Sequence, residues 1–296
     1  MKIALCFIIN YDHVLHKETI WREWVAANKD IINIYIYYKD LKKIQSPWLQ
    51  NYAIPEKYIN ETSYYHVVPA YISLIKYAIQ HDKENQWFCF LTDSCCPIIS
   101  PEFFRYLFFT NYNKTIMKWG PSWWNIFFHK RANLRLLPNS LHLANDPWFV
   151  LQKQDAEYII QFTYVYSVVY KKICSGGLAN ESIFAIILKG KNNLEETISK
   201  SSHIINWRCM SSATSPYVFK NGDKTEQLFI DTELKNNKYA MFIRKISPTF
   251  PDSILKKYIY ENKEKKINWR EKIILFLLKY YCKYKYLFNF LFKIFI

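Results

Sequence analysis

The chain has 296 residues, half of them hydrophobic and 19 % aromatic, with a formal net charge of +15. That is enough apolar material for a sizeable core in one large or two small domains, and it excludes a disordered polymer. The charge favours anionic partners such as nucleic acid, acidic lipid head groups or phosphorylated small molecules.

KIALCFIIN (2–10) is a continuous β-rich run, as in a buried parallel strand. Ile20, Trp21 and Trp24 then fall at helical spacing within 17–27, and IINIYIYYK (31–39) reads as a second strand. Helical periodicity returns over 65–81, and 86–91 is a third buried strand ending at Asp93. Pro101 and Glu102 make a good first turn for a helix to Thr110. This alternation predicts an α/β domain with a mostly parallel sheet flanked by helices. In such sheets ligands bind beyond the carboxyl ends of the strands, which puts Asp93 and the stretch after Ile9 at the ligand edge. There is neither a GxGxxG nor a P-loop, so a dinucleotide fold or an NTPase is unsupported.

Further on, helical periodicity begins at Gln154, and GGLANESIFAIIL (176–188) reads as a flexible Gly-Gly turn, a carboxylate and an apolar helix. A strand with a polar loop is expected over 205–219 and a short strand over 239–248. From Pro251 there are eleven Lys/Arg against four Asp/Glu, about half of the whole excess, which argues for a basic tail and against a nucleic-acid-binding body. The domain is therefore expected over 1–250 and a basic, aromatic helical tail over 251–296. Lysines interrupt 273–296 too often for a spanning helix, so a helix lying in an anionic membrane interface fits, and one packed on the core is the alternative.

The seven cysteines are odd in number and irregularly spaced, so buried reduced thiols in a reducing compartment are expected. The N-terminal apolar run is too short for a signal peptide. Together these features predict a cytoplasmic protein, peripheral on the inner face of a membrane.

Thr92-Asp93-Ser94 has no second carboxylate two residues after Asp93, so it makes a poor divalent-metal site. Asp231-Thr-Glu233 has the right spacing but reads as a solvated helix start. An enzyme acting on an activated sugar without metal needs fixed cations for the leaving diphosphate and a base for the acceptor hydroxyl. Arg244 and Lys245 end an apolar strand side by side, and Glu181 opens a helix. Taken alone, a cation pair at a strand end is usually solvated surface, and an acid at that position is favoured by the helix N-terminus, so composition does not decide.

Seven segments, in order, resemble the core-2/I-branching β-1,6-N-acetylglucosaminyltransferase family (glycosyltransferase family 14), in the manner of a bacterial or viral member. They are KIALCFIINYDHVLHKETIWREW, INIYIYYKD, FCFLTDSCCPIISPEFF, WFVLQKQDAEYII, GGLANESIF, NWRCMSSATSPYVF and FIRKISP. The resemblance covers Met1 to about Phe250. It implies a GT-A-like fold and an inverting, metal-independent enzyme that needs no cofactor besides its UDP-sugar donor, GlcNAc or xylose foremost. The acceptor would be a glycan or glycolipid, and no nucleic acid is expected.

By the same resemblance Glu181 matches the catalytic base, and Lys245 with Arg244 the donor-diphosphate contacts. Asp93, Trp207 and Trp148 fall in substrate-binding positions, although a core role for Trp148 is an equal alternative. The sequence departs from the family at Asn206, where Asp is usual, and at Ser215, where His is usual. A second diphosphate-binding Arg has no match, and Lys220 or Arg208 is a candidate substitute. These departures keep open a non-catalytic glycan-binding module on a decayed transferase fold.

Overall fold

The computed structural model describes residues 1–212 and 215–261. Strand β1 (Lys2–Ile8) carries five successive buried residues, as a strand covered on both faces must. Helix α1 (Glu18–Ala26) leads to β2 (Ile32–Tyr37), which pairs with β1 in parallel. Helix α2 (Pro47–Asn51) is a short turn capped by Ser46, whose hydroxyl accepts from the Leu49 amide at 3.3 Å. Helix α3 (Val68–His81) then crosses to β3 (Asn85–Thr92), parallel to β1 on its other side.

After β4 (Cys96–Pro97), helix α4 (Pro101–Asn111) starts with proline in its first turn and Ser100 accepting from the Phe103 amide at 3.1 Å. Strands β5 (Trp119–Pro121) and β6 (Leu143–Asn145) form a two-stranded antiparallel ribbon. Strand β7 (Val150–Gln152) returns antiparallel to β3 and completes a sheet of order β2-β1-β3-β7. Helices α5 (Lys153–Val165), α6 (Ser167–Cys174) and α7 (Ile183–Gly190) follow. The chain then passes through β8 (His203–Ile205), α8 (Lys224–Asn236), β9 (Phe242–Arg244) and α9 (Asp252–Lys256). A second small sheet runs β4-β9-β8.

The domain is thus mixed α/β with a mostly parallel central sheet flanked by helices, consistent with the GT-A-like expectation. Strand alternation divides the core. Ile3, Leu5 and Phe7 join Trp21, Trp24 and Phe104 on one face, while Ala4 and Cys6 join Phe90, Phe149 and Phe184 on the other. The buried indoles of Trp21 and Trp24 donate to the Cys95 and Ile99 carbonyls at 3.0 and 2.9 Å, which removes the cost of burying their N–H groups.

Three expectations are corrected in detail. The strand expected from Ile205 is β8, which ends there, because the residues beyond it turn back into a polar loop. The strand expected over 239–248 is three residues long. Asp231 and Glu233 lie well inside α8 rather than at its start, which Asp223 caps by accepting from the Glu226 amide at 2.9 Å. Cys6, Cys89, Cys95 and Cys96 are buried free thiols, as expected, whereas Cys209 is exposed.

Of the expected helical tail, most lies outside the described residues. The described part, 251–261, packs on the first core cluster through Leu255, Tyr258 and Ile259. Lys17 ties this region to the start of α1, donating to Pro248 O, Phe250 O and Asp252 at 2.6, 2.5 and 2.8 Å. Among the described residues, no helix is long and apolar enough to cross a membrane.

Candidate active site

A cleft opens beyond the carboxyl ends of β1 and β3, where an open parallel sheet binds its ligands. Asp93, Trp148, Glu181, Trp207, Arg244 and Lys245 all line it. Register explains how residues so far apart in sequence meet. In the second sheet Cys96 stands opposite Ile243 and Ile205 beside Arg244. Extending those pairings by one residue sets Arg244 opposite Cys95, next to the Thr92–Ser94 turn, and Asn206, the neighbour of Trp207, beside Lys245.

The Arg244 guanidinium donates to the hydroxyls of Thr92 and of Ser94, the latter at 2.8 Å. It also lies 4.1 Å from the centroid of the Trp148 ring, a favourable seat for a planar cation. Its buried Nε has no hydrogen-bond partner among the described residues. A fixed positive charge therefore stands at the strand end where a metal-using enzyme would need a second carboxylate. Among the described residues no three His, Cys, Asp or Glu side chains converge as a metal site would require.

Asp93 is buried, and burial raises its carboxyl above the usual range, while Arg244, His16 and Lys245 pull in the other direction. Lys245 is held below an ordinary lysine by burial and by Arg244, with Asp93 opposing. His16 was not singled out in the sequence. It is fixed by its amide donating to Asp93 O at 2.8 Å and by its ring Nδ1 lying 2.9 Å from Ile246 O.

Besides Arg244, Trp148 has Trp207 stacked beside it at 6.5 Å between centroids and 28° between planes, and His203 tilted at 6.3 Å. Trp148 is buried and Trp207 is 42 % exposed. Of the two, Trp207 offers the open face to a flat or hydroxylated ligand. The Asn206 substitution keeps its local work: its side-chain oxygen accepts from the Arg208 and Cys209 amides at 3.0 and 3.3 Å, which an aspartate would do in the same way. Ser215 lines the cleft, whereas the candidate substitutes Arg208 and Lys220 are exposed and do not.

Glu181 also lines the cleft, in a single 3₁₀ turn (Ala179–Glu181) just before α7. Asn145 at the end of β6 fastens this turn. It donates to Asn180 O at 3.0 Å and accepts from the Ala185 amide at 3.2 Å. Burial raises the Glu181 carboxyl, Arg131 lowers it and Asp146 raises it further.

Arg131 is the functional neighbour that the sequence reading missed. Its Nη1 donates to Glu181 Oε2 at 3.0 Å, and its guanidinium lies 5.0 and 5.1 Å from the rings of Trp123 and Trp124. The turn preceding Glu181 makes this pairing possible. Ala132 donates to Gly177 O at 3.1 Å, and a β-carbon at Gly176 would fall 2.4 Å from the Asn133 nitrogen. Gly176 is required for this close approach of two backbones rather than for flexibility.

The architecture and cleft define an α/β enzyme domain with a fixed-cation ligand site. The family model for the Core-2/I-Branching enzymes matches residues 34–231, about two-thirds of the chain. The chain belongs to that family, and the protein is accordingly a glycosyltransferase. No curated protein matches the chain.

Proposed function

We propose that the protein is an inverting, metal-independent transferase that moves a sugar, GlcNAc or xylose, from a UDP-sugar to a glycan or glycolipid hydroxyl. Glu181 takes the proton from the acceptor hydroxyl as that oxygen attacks the anomeric carbon from the face opposite the nucleotide. Charge then develops on the departing diphosphate. Lys245 and Arg244 neutralise it, fixed cations being effective because they need no reorganisation at the moment of bond breaking. Asp93 orients the bound sugar, Trp207 gives it an apolar face, and Trp148 holds Arg244 in place. The basic tail holds the enzyme at the inner face of an anionic membrane.

The observation that carries this reading is the Arg244 guanidinium on the Thr92–Ser94 turn, lining a cleft that also holds the Glu181 carboxylate with its raised affinity for protons. Raised affinity suits a base that must work near neutral pH. The test is to incubate the protein with UDP-GlcNAc or UDP-xylose and glycan acceptors in EDTA, follow UDP release, and read the anomeric configuration of the product by NMR. A β-linked product formed in EDTA is expected. Glycan binding with neither transfer nor donor hydrolysis, even with Mn²⁺ restored, would move the reading to a non-catalytic glycan-binding module.

A further inference from the structure

We propose that the aromatic loop at residues 122–130, together with the exposed side of α6, binds an anionic lipid interface, with Trp123, Phe127 and Phe128 entering the head-group layer. These three side chains are 74, 75 and 84 % exposed, an unusual state for large apolar rings that follow one another so closely. Val168 and Val169 on α6 add exposed aliphatic surface.

The charge around them has one sign. Residues 103–145 contain no Asp or Glu and six Lys or Arg, and 158–180 contain no Asp or Glu while carrying Lys171 and Lys172. Lys130, Arg135, Lys171 and Lys172 are all exposed. The two stretches are joined in space. Asn133 Nδ2 donates to Lys172 O at 2.7 Å, and Ala132 to Gly177 O at 3.1 Å. Exposed rings and valines flanked by cations without acids match the boundary between acyl chains and anionic head groups. A glycan would use flat rings beside polar side chains that bond its hydroxyls, and the valines supply neither.

The surface also has a position relative to the cleft. Arg131, which holds Glu181, has its guanidinium 5.0 Å from the Trp123 ring. Membrane contact at Trp123 therefore lies one residue away from the carboxylate wall. Nothing in this surface depends on the reaction carried out in the cleft, and none of its residues belongs to the basic tail.

The experiment uses the full chain and vesicles of phosphatidylcholine with or without phosphatidylserine. Replacing all three rings (Trp123→Ser, Phe127→Ser, Phe128→Ser) is expected to weaken binding to the phosphatidylserine vesicles about 30-fold. Circular dichroism should be unchanged, because all three side chains are largely exposed and none belongs to the buried core. Brominated phosphatidylserine is expected to quench the tryptophan emission less in Trp123→Phe than in wild type. Equal quenching in both proteins would overturn the proposal. So would unaltered vesicle affinity of the triple variant, including the case in which it changes only the oligomeric state and so marks a protein–protein surface.

Discussion

Arg131 and Glu181, fifty positions apart in the chain, form an ion pair at 3.0 Å across the wall of the cleft. Neither partner is free to wander, since Arg131 is also set against two tryptophan rings and Glu181 stands in a turn fastened by Asn145. The pair gives a cation close to the proposed base, so its removal changes proton affinity as well as position.

The sign of that change is fixed by the charges. Burial already raises the Glu181 carboxyl, and Arg131 opposes the rise. The proposed mechanism requires the ionised form, so activity should grow as pH rises through a value above the usual glutamate range. Arg131→Ala should move this acid limb to higher pH, and Arg131→Lys should restore much of it. A pH–rate profile of kcat/KM for the three proteins checks this, whereas a merely structural role would lower the rate without moving the limb.

In the proposed mechanism the group that controls the alkaline side is Lys245, which burial and Arg244 hold below an ordinary lysine. Its protonated form is the useful one, so turnover should decline at a pH lower than free lysine would dictate. Lys245→Ala should reduce kcat about 10²-fold or more. Lys245→Arg, with its permanent charge, should flatten the alkaline limb in whatever activity it retains.

Asp155 supplies a stability prediction outside the cleft. It is fully buried and accepts from Thr115 Oγ1 at 2.6 Å, Lys191 Nζ at 2.9 Å and Asn193 Nδ2 at 2.7 Å. Asp155→Ala strands these donors and should cost about 3–5 kcal/mol. Chemical denaturation measures this directly, and Asp155→Asn should cost less because it keeps an acceptor.

Gly176→Ala should be harmful although alanine is small. The added carbon would meet backbone atoms of 130–133 at 2.4 to 2.8 Å, and backbone cannot step aside as a side-chain tip can. The loop bearing Arg131 must shift, with a stability loss of about 1–3 kcal/mol. The expected signature is a fall in melting temperature together with the acid-limb shift of Arg131→Ala.

The first half of the fold is legible in the sequence because its parallel strands are buried on both faces and therefore appear as unbroken apolar runs. The limits of β8 and β9 are not legible there. Three residues carry no periodicity, and their extent is set by partners such as Cys96 and Ile243. Among the candidate site residues, Asp93, Glu181, Arg244 and Lys245 stood out because each sits beside a strand or helix end, and the resemblance ordered them. Arg131 gave no such signal. Its loop lacks periodicity, and its partner is chosen by the Ala132–Gly177 backbone bond and the bare Gly176, which only the folded chain displays. Trp148 and Trp207 look alike in sequence, and burial separates one as the support for Arg244 and the other as the open face.

The most direct test of the central claim is the rate of sugar transfer from a UDP-sugar in EDTA by wild type and by Glu181→Gln, with UDP affinity measured for both. The variant keeps the shape of the side chain and loses the base. The expected result is metal-free transfer by wild type, reduced about 10²-fold or more in Glu181→Gln at unchanged UDP affinity. Transfer at the wild-type rate by Glu181→Gln would contradict the assignment of Glu181, and transfer by wild type only with added metal would contradict the role given to Arg244 and Lys245.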